Sequence, residues 1–272
     1  MLKNAKAREE KAVGLFDFFR RKEEKPKFSA KIETRVVEVE VKQRTPGELP
    51  LAYVGDYVSP SGGFVNYARF RVVGVNPETG RRNTRRFEAR NEEAARAAAF
   101  SDGLAEPLEI VVEPMDEPSE RQVAYALDLE ATLPEGACKE DVSAIISRIT
   151  DEDEDAPDPG LSLWAHESGV RFSRFIGARA LLGCMMFQMA GVEKATLYAY
   201  AVYLQENGGR FSDPRKLPAF PVLLRCAEQV AGDPGLMKSL GDRDSSDLFG
   251  PNRGTKIYKA TASILRDGGA IR

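Results

Sequence analysis

The sequence of 272 residues is 42% hydrophobic and 30% charged, and its formal net charge is −3. This composition suits a globular chain with packed cores, and the small net charge excludes a general electrostatic attraction to nucleic acid or anionic lipid. The three cysteines show no CxxC or Cys/His spacing, so neither a disulfide framework nor a zinc site is supported.

The sequence predicts a cytoplasmic location and no transmembrane segment. The first residues, MLKNAKAREEKAVG, contain no apolar core long enough for a secretory signal. The most apolar run, residues 180–192, is shorter than the roughly 20 residues that a spanning helix needs. Scattered cysteines are typical of a reducing compartment.

Residues 1–27 are predicted to be a charged amphipathic N-terminal segment. Its apolar side chains fall near one side of a helix and precede a basic cluster; they are Leu15, Phe16, Phe18 and Phe19. Two interpretations remain open, a helix that docks on a membrane surface or partner and a leading helix that packs onto its own domain. The second is favoured, because few lysines follow the apolar face.

Residues 28–117 are predicted to form a small α+β domain. Alternating apolar and charged residues from Ile32 to Val41 indicate a strand with one solvated side. Further along, YARFRVVGV and RRNTRRFEA indicate two strands. The turn NPETG joins them, and its Pro77 and Gly80 suit a hairpin.

A helix and another strand complete this module. Asn91 is expected to cap the helix, with Glu92 and Glu93 favourable in its first turn. Gly103 is expected to end the helix, and residues 107–114 indicate the last strand.

The module spans residues 67–114, including FRVVGVNPETGRRNTRRFEARNEEAARAAAFSDGLAEPLEI. It resembles the N-terminal portion of the F-type inner-membrane proteins of type II secretion. It is similar, more loosely, to the hairpin-plus-helix arm-binding domain of tyrosine integrases. The resemblance implies an uncharacterised bacterial or phage-type protein. The rest of the chain departs from both families, since it has neither the integrase Arg/His/Tyr set nor membrane spans.

The remainder of the chain is predicted to be helical, which makes the fold class α+β. Residues 118–149 indicate a helical hairpin that opens with a Ser119/Gln122 capping box. Residues 150–160, TDEDEDAPDPG, indicate a solvated acidic linker. Residues 161–272 indicate an α-helical bundle with core tyrosines at its centre.

Individual residues indicate where helices begin and end within residues 118–149 and 161–272. Lys139 to Asp141 open a helix that is expected to bury four residues: Val142, Ile145, Ile146 and Ile149. Ser173 is expected to start a later helix, and the Gly208-Gly209 pair to end the next one.

No catalytic, cofactor-binding or metal-binding set is predicted. The single histidine, His166, is interpreted as structural, and WAHES is not HExxH because no second histidine exists. An alternative is an unrecognised enzyme site in the helical bundle around His166, Arg171 and Arg174. The turn GPNRGTK at 250–256 lacks the spacing of a phosphate loop.

The strongest binding hypothesis concerns an arginine-rich sheet face. Strand alternation places five arginines on the side opposite the helix: Arg69, Arg71, Arg82, Arg86 and Arg90. Three interpretations stay open. The favoured one is a solvated face paired with the acidic block 91–118; the others are nucleic-acid binding and an acidic protein partner.

The sequence therefore predicts a non-enzymatic binding or adaptor protein of bacteria or mobile elements, with an unknown protein partner. The alternative is an accessory protein that binds nucleic acid through the arginine face. The second alternative is the enzyme described above.

Overall fold

The computed structural model describes residues 49–241, 243 and 245–272. These residues belong to one compact unit, Thr45–Arg272. The predicted N-terminal helix and the predicted strand from Ile32 to Val41 lie outside the described residues.

The predicted hairpin, helix and strand form a three-stranded antiparallel sheet covered by one helix. The elements are β1 (Ala68–Val75), β2 (Arg82–Ala89), α1 (Glu92–Ser101) and β3 (Ala105–Glu113). The strand order is β2-β1-β3, so within the described residues β1 is central and the other two strands are the edges. This part of the predicted fold is confirmed.

Local signals account for the module. The Asn76 side chain accepts the amides of Glu78 and Thr79 at 2.9 and 3.1 Å, and Gly80 takes a positive φ of 66°. The Asn91 side chain caps α1 by accepting the Ala94 amide at 2.9 Å. The helix-covered side of the sheet buries a small apolar core: Ala68, Phe70, Val72, Ala89, Ala95, Ala99 and Leu104.

The remaining elements are helical, which confirms the α+β class with a helical C-terminal part. They are α2 (Glu120–Asp128), α3 (Lys139–Thr150), α4 (Pro159–Glu167), α5 (Ala178–Gln188), α6 (Gly191–Asn207), a 3-10 helix (Pro214–Lys216), α7 (Phe220–Ala231), α8 (Pro234–Gly241), α9 (Ser246–Phe249) and α10 (Lys256–Asp267). Within the described part of the chain, no helix is long and apolar enough to cross a membrane.

Helix α6 lies at the centre of the C-terminal core. Every residue from 195 to 202 is buried, including Tyr198 and Tyr200, which are 0% and 1% exposed. These tyrosines pack in the core as predicted. The helix ends at Asn207, before Gly208 at φ 77°, which confirms the predicted stop signal.

Two predicted details are wrong. Ser173 does not start a helix, because its hydroxyl donates to the buried carboxylate of Asp141 at 2.7 Å and α5 begins only at Ala178. In α3, Val142 and Ile145 are buried as predicted, whereas Ile146 and Ile149 are only half-buried. The predicted list also omitted two polar residues that α3 buries, Asp141 and Arg148.

The acidic segment 150–160 has defined contacts. The Asp153 carboxylate is 6% exposed and accepts the amides of Arg179 and Ala180 at 2.9 Å each, which caps the N-terminus of α5. Gly177 permits this approach, since a Cβ there would lie 2.2 Å from Asp153 Oδ2. The division into domains at this segment stays a prediction.

Candidate functional site

Four of the five predicted arginines share the sheet face that α1 leaves uncovered. The register places Arg71 of β1 directly opposite Arg86 of β2. Arg69 and Arg82 have the same parity on their strands and therefore point to the same side. The geometry of the predicted arginine face is thus present for these four residues.

Carboxylates from β3 pair with the arginines of this face. Glu113 binds both Arg71 and Arg86, at 3.2 and 2.8 Å. Glu109 binds Arg82 at 3.3 Å. Both glutamates reach toward β1 and β2, so two carboxylates offset part of the charge of three arginines within the sheet.

Arg69 is the most enclosed member of the face. Its side chain is 13% exposed and donates to Asp116 at 2.7 Å, while Glu88 and Glu140 lie at 3.7 and 3.9 Å. The hydrogen bond from Arg69 lowers the pKa of Asp116. Three of the pairing carboxylates on this face belong to the acidic block 91–118: Glu109, Glu113 and Asp116. Nucleic-acid binding by the face stays a prediction.

Arg90 differs from the other four arginines. It follows the last residue of β2 and directs a guanidinium N–H to the Glu167 carbonyl at 3.4 Å. It also lines an open pocket of about 480 Å³ whose other lining residues are Val54, Tyr57, Asn91, Leu163, His166 and Glu167. Arg90 therefore belongs to the junction between the sheet and α4.

The hydrogen bonds of Asn66 determine the protonation of His166. The Asn66 Oδ1 accepts the Phe172 amide at 2.8 Å, and its Nδ2 donates to the Val170 carbonyl at 2.8 Å. A flipped amide would oppose donor to donor and acceptor to acceptor, so this orientation is fixed. The other Nδ2 proton then points to His166 Nδ1 at 3.2 Å. Nδ1 is therefore an acceptor, and the neutral ring carries its proton on Nε2.

The surroundings of His166 favour that neutral form. The residue is 7% exposed, and its ring lies 5.0 Å from the ring of Tyr57. Burial and then the positive charge of Arg90 lower the pKa of His166. The Asn66 backbone acts in the opposite direction and favours the charged form. Among the described residues Nε2 makes no hydrogen bond of normal geometry, and His166 lines the pocket. This nitrogen is consequently a donor open to the pocket.

The residues of the predicted enzyme alternative do not form a shared hydrogen-bonded set. Arg171 binds the Glu88 carboxylate at 3.1 Å, and its backbone amide donates to the Gln188 side chain at 2.9 Å. Arg174 donates to the Ala52 carbonyl at 3.3 Å. Neither arginine is hydrogen-bonded to His166 within the described residues, and the enzyme alternative stays a prediction.

A larger cleft of about 870 Å³ lies against α5, α6 and α9. Its polar lining includes Asp155, Arg179, Gln205 and Arg210. Gln205 Oε1 is buried there without a hydrogen bond inside the described chain. The lining contains no histidine or cysteine, and no group of His, Cys, Asp or Glu in the described residues is arranged to hold a metal ion.

The remaining sequence candidates have structural roles. In GPNRGTK, Asn252 accepts the Gly254 amide at 2.8 Å and Thr255 accepts the Tyr258 amide at 3.3 Å, so the turn caps α10. Cys226 is buried, whereas Cys184 is only half-buried. Burial raises the pKa of the Cys226 thiol to about 12, which makes it a poor nucleophile.

Two buried polar residues, Asn66 and Asp141, were not predicted from the sequence, although their hydrogen bonds join distant segments of the chain. Asn66 contacts residues more than a hundred positions away, and the Asp141 carboxylate accepts the Phe64 amide 77 residues away at 2.8 Å. A buried polar residue of this kind leaves no local pattern. From the sequence, Asp141 is recognisable only as an acidic residue in the first turn of α3.

Comparison with protein-family models, with curated proteins and with solved structures finds no match to this chain. The resemblance of residues 67–114 to type II secretion and integrase modules therefore stays a prediction.

Proposed function

We propose that the chain is a non-enzymatic adaptor that binds an extended, basic segment of a partner protein along the outer edge of β3. The observation that carries the proposal is the character of this edge. β3 is a strand of nine residues with a single neighbouring strand, β1, in the described sheet. Such an edge has a row of backbone groups to which another strand can add.

β3 contains no lysine or arginine that would guard this edge with a positive charge. Two of its three glutamates, Glu109 and Glu113, pair with arginines of the sheet, with side chains 58% and 21% exposed, and Glu106 pairs with Arg96 of α1. Val111 and Val112, on opposite faces, are 38% and 41% exposed. Natural sheets protect an open edge with outward charges, especially lysine, and an exposed apolar edge is a pairing site.

The opposite edge, β2, has that protection. Arg82 and Arg86 are 68% and 72% exposed in their side chains, and Arg85 is 54% exposed. Repeated cations along β2 disfavour a strand at that edge. The contrast between the two edges selects β3.

The charge around β3 favours a basic occupant. Residues 91–118 contain eight acidic residues and one basic residue, a net charge of −7. Glu106, near the start of β3, and Asp116, just beyond its end, have side chains 57% and 60% exposed. A partner segment with Lys or Arg and with apolar residues at alternate positions complements this surface.

The same proposal includes a cytoplasmic location and a bacterial or phage-type origin. The three cysteines are free in the structure, which is in keeping with a reducing compartment.

The test is a selection of extended peptides on the full chain. A displayed library of random peptides about ten residues long should enrich basic sequences with alternating apolar residues. Val111→Lys should weaken the selected peptides at least about tenfold, because it adds an outward cation to the edge. Binding should also slow the exchange of β3 amide hydrogens.

Thr84→Lys is the matched control, since Thr84 is exposed on the other edge strand, β2. It makes the same charge change and should leave binding unchanged. Equal loss in both variants, or slow exchange of the outer β3 amides in the unbound full chain, would contradict the proposal.

A further inference from the structure

We propose that the pocket between β2 and α4 binds a small oxyanion, a carboxylate or a phosphate, through the Arg90 guanidinium and the His166 Nε2–H. This site is separate from the β3 edge and does not depend on the adaptor function. The pocket volume of about 480 Å³ is sufficient for a small ligand.

The two donors are available in the folded chain. The only hydrogen bond of Arg90 in the described structure is the long contact of 3.4 Å to the Glu167 carbonyl. His166 Nδ1 is occupied by Asn66 at 3.2 Å, which leaves Nε2–H as the ring donor in a residue that lines the pocket. A buried, oriented imidazole loses little conformational freedom when a ligand binds.

The electrostatic environment of the pocket favours a negative ligand. The charge of Arg90 disfavours the charged form of the His166 ring more than Glu167 favours it, and Arg174 adds a smaller effect in the same direction as Arg90. Glu167 also lines the pocket, but its carboxylate is ion-paired to Arg215. α1 begins at Glu92, directly after Arg90 and Asn91, so the positive end of its dipole lies at the same rim.

An oxyanion suits these donors better than a neutral ligand. A guanidinium binds two oxygens of a carboxylate or phosphate in parallel, and a charge-assisted bond is about twice as strong as a neutral one. The imidazole N–H supplies a second, directional contact. The ring of Tyr57, 5.0 Å from the His166 ring, provides an apolar boundary.

The single histidine makes the site directly observable. In the ¹⁵N-labelled full chain, long-range ¹H–¹⁵N spectra contain one side-chain imidazole, that of His166. Sodium phosphate and sodium acetate are titrated at pH 7.5 against sodium chloride of equal ionic strength. We expect a saturable shift of Nε2 with half-saturation at about 1 mM or lower, and the stronger of the two anions identifies the ligand class.

Arg90→Gln should weaken this binding at least about tenfold, since it removes the charged partner. Arg86→Gln is the matched control, because Arg86 pairs with Glu113 on the sheet face and should leave binding unchanged. A shift that does not saturate, an equal response in Arg90→Gln, or a proton found on Nδ1 would overturn the proposal.

Discussion

The carboxylate of Asp141 and the hydroxyl of Ser173 meet at 2.7 Å inside the protein, although 32 residues separate them. The same carboxylate accepts the Phe64 amide at 2.8 Å and the Cys138 amide at 3.0 Å. One buried side chain therefore connects α3 to the segment before the sheet and to the segment before α5.

Replacing Asp141 with Ala should destabilise the protein by about 2 to 4 kcal/mol, because three buried donors lose their acceptor. Urea unfolding followed by far-UV circular dichroism measures the change. Asp128→Ala, at an exposed position at the end of α2, is the control and should stay within about 0.5 kcal/mol of the wild type. Equal stability of the two variants would contradict the role assigned to Asp141.

The neighbouring glycines Gly62 and Gly63 allow the cost of backbone strain to be compared with the added cost of a steric clash. Both have positive φ, 84° and 73°, but only at Gly63 would a Cβ meet Cys138 Sγ at 2.8 Å. Alanine at either position should cost about 1 kcal/mol of backbone strain. Gly63→Ala should lose at least about 1 kcal/mol more through overpacking. The free energies of urea unfolding of the two variants make the comparison, and equal losses would refute the close approach.

Two glycines of the α5 region should respond to alanine with opposite signs. Gly177→Ala would place a Cβ 2.2 Å from Asp153 Oδ2, so it should disrupt the cap and destabilise by about 1 to 3 kcal/mol. Gly183 lies inside the helix with its nearest contact at 3.6 Å, so Gly183→Ala should stabilise by about 0.5 to 1 kcal/mol. Thermal melting of both variants tests the signs; a stabilising Gly177→Ala would show that the cap is unimportant.

Neutralising the carboxylates of the arginine face should unmask nucleic-acid binding. The double variant Glu109→Gln/Glu113→Gln releases Arg71, Arg82 and Arg86 from their ion pairs and should bind duplex DNA about tenfold tighter than the wild type. Fluorescence anisotropy over a salt series measures this.

Glu92→Gln/Glu93→Gln on α1 makes the same change in net charge away from the arginine face and is the control for that experiment. Tight, salt-sensitive binding by the wild type, lost in Arg82→Ser/Arg86→Ser/Arg90→Ser, would instead favour the nucleic-acid alternative.

The buried histidine should make stability depend on pH in a defined direction. The pKa of His166 is lowered from its ordinary value of 6.5 in the folded chain, so the unfolded chain binds the proton more readily. The stability that the neutral His166 ring contributes is fully present above about pH 6.5, and it is lost as the pH falls toward the lower pKa of the folded chain. NMR titration of the single imidazole gives the folded pKa, and His166→Gln should flatten this part of the stability profile. A folded pKa at or above 6.5 would contradict the prediction.

The parts of the fold that the sequence predicts are those with local causes. Pro77, Gly80 and Asn91 determine the hairpin and the start of α1 through contacts a few residues long. The predicted helix start at Ser173 is wrong, because the Ser173 hydroxyl donates to the Asp141 carboxylate of another helix instead of capping α5. The alternation of residues along the strands predicts the side of the sheet on which the arginines lie. Their ion pairs depend also on the register of β3 against β1, which no local signal in the sequence determines.

The acidic, proline-containing segment 150–160 forms hydrogen bonds with the helices on both sides of it. The Arg148 guanidinium donates to the Glu154 carbonyl at 2.6 Å, and the Asp153 carboxylate holds the start of α5. A gene fragment that began at residue 161 would therefore leave α5 without its cap and the 170–177 segment without the Asp141 acceptor. We therefore expect a fragment that begins at residue 161 to be less stable than the full chain.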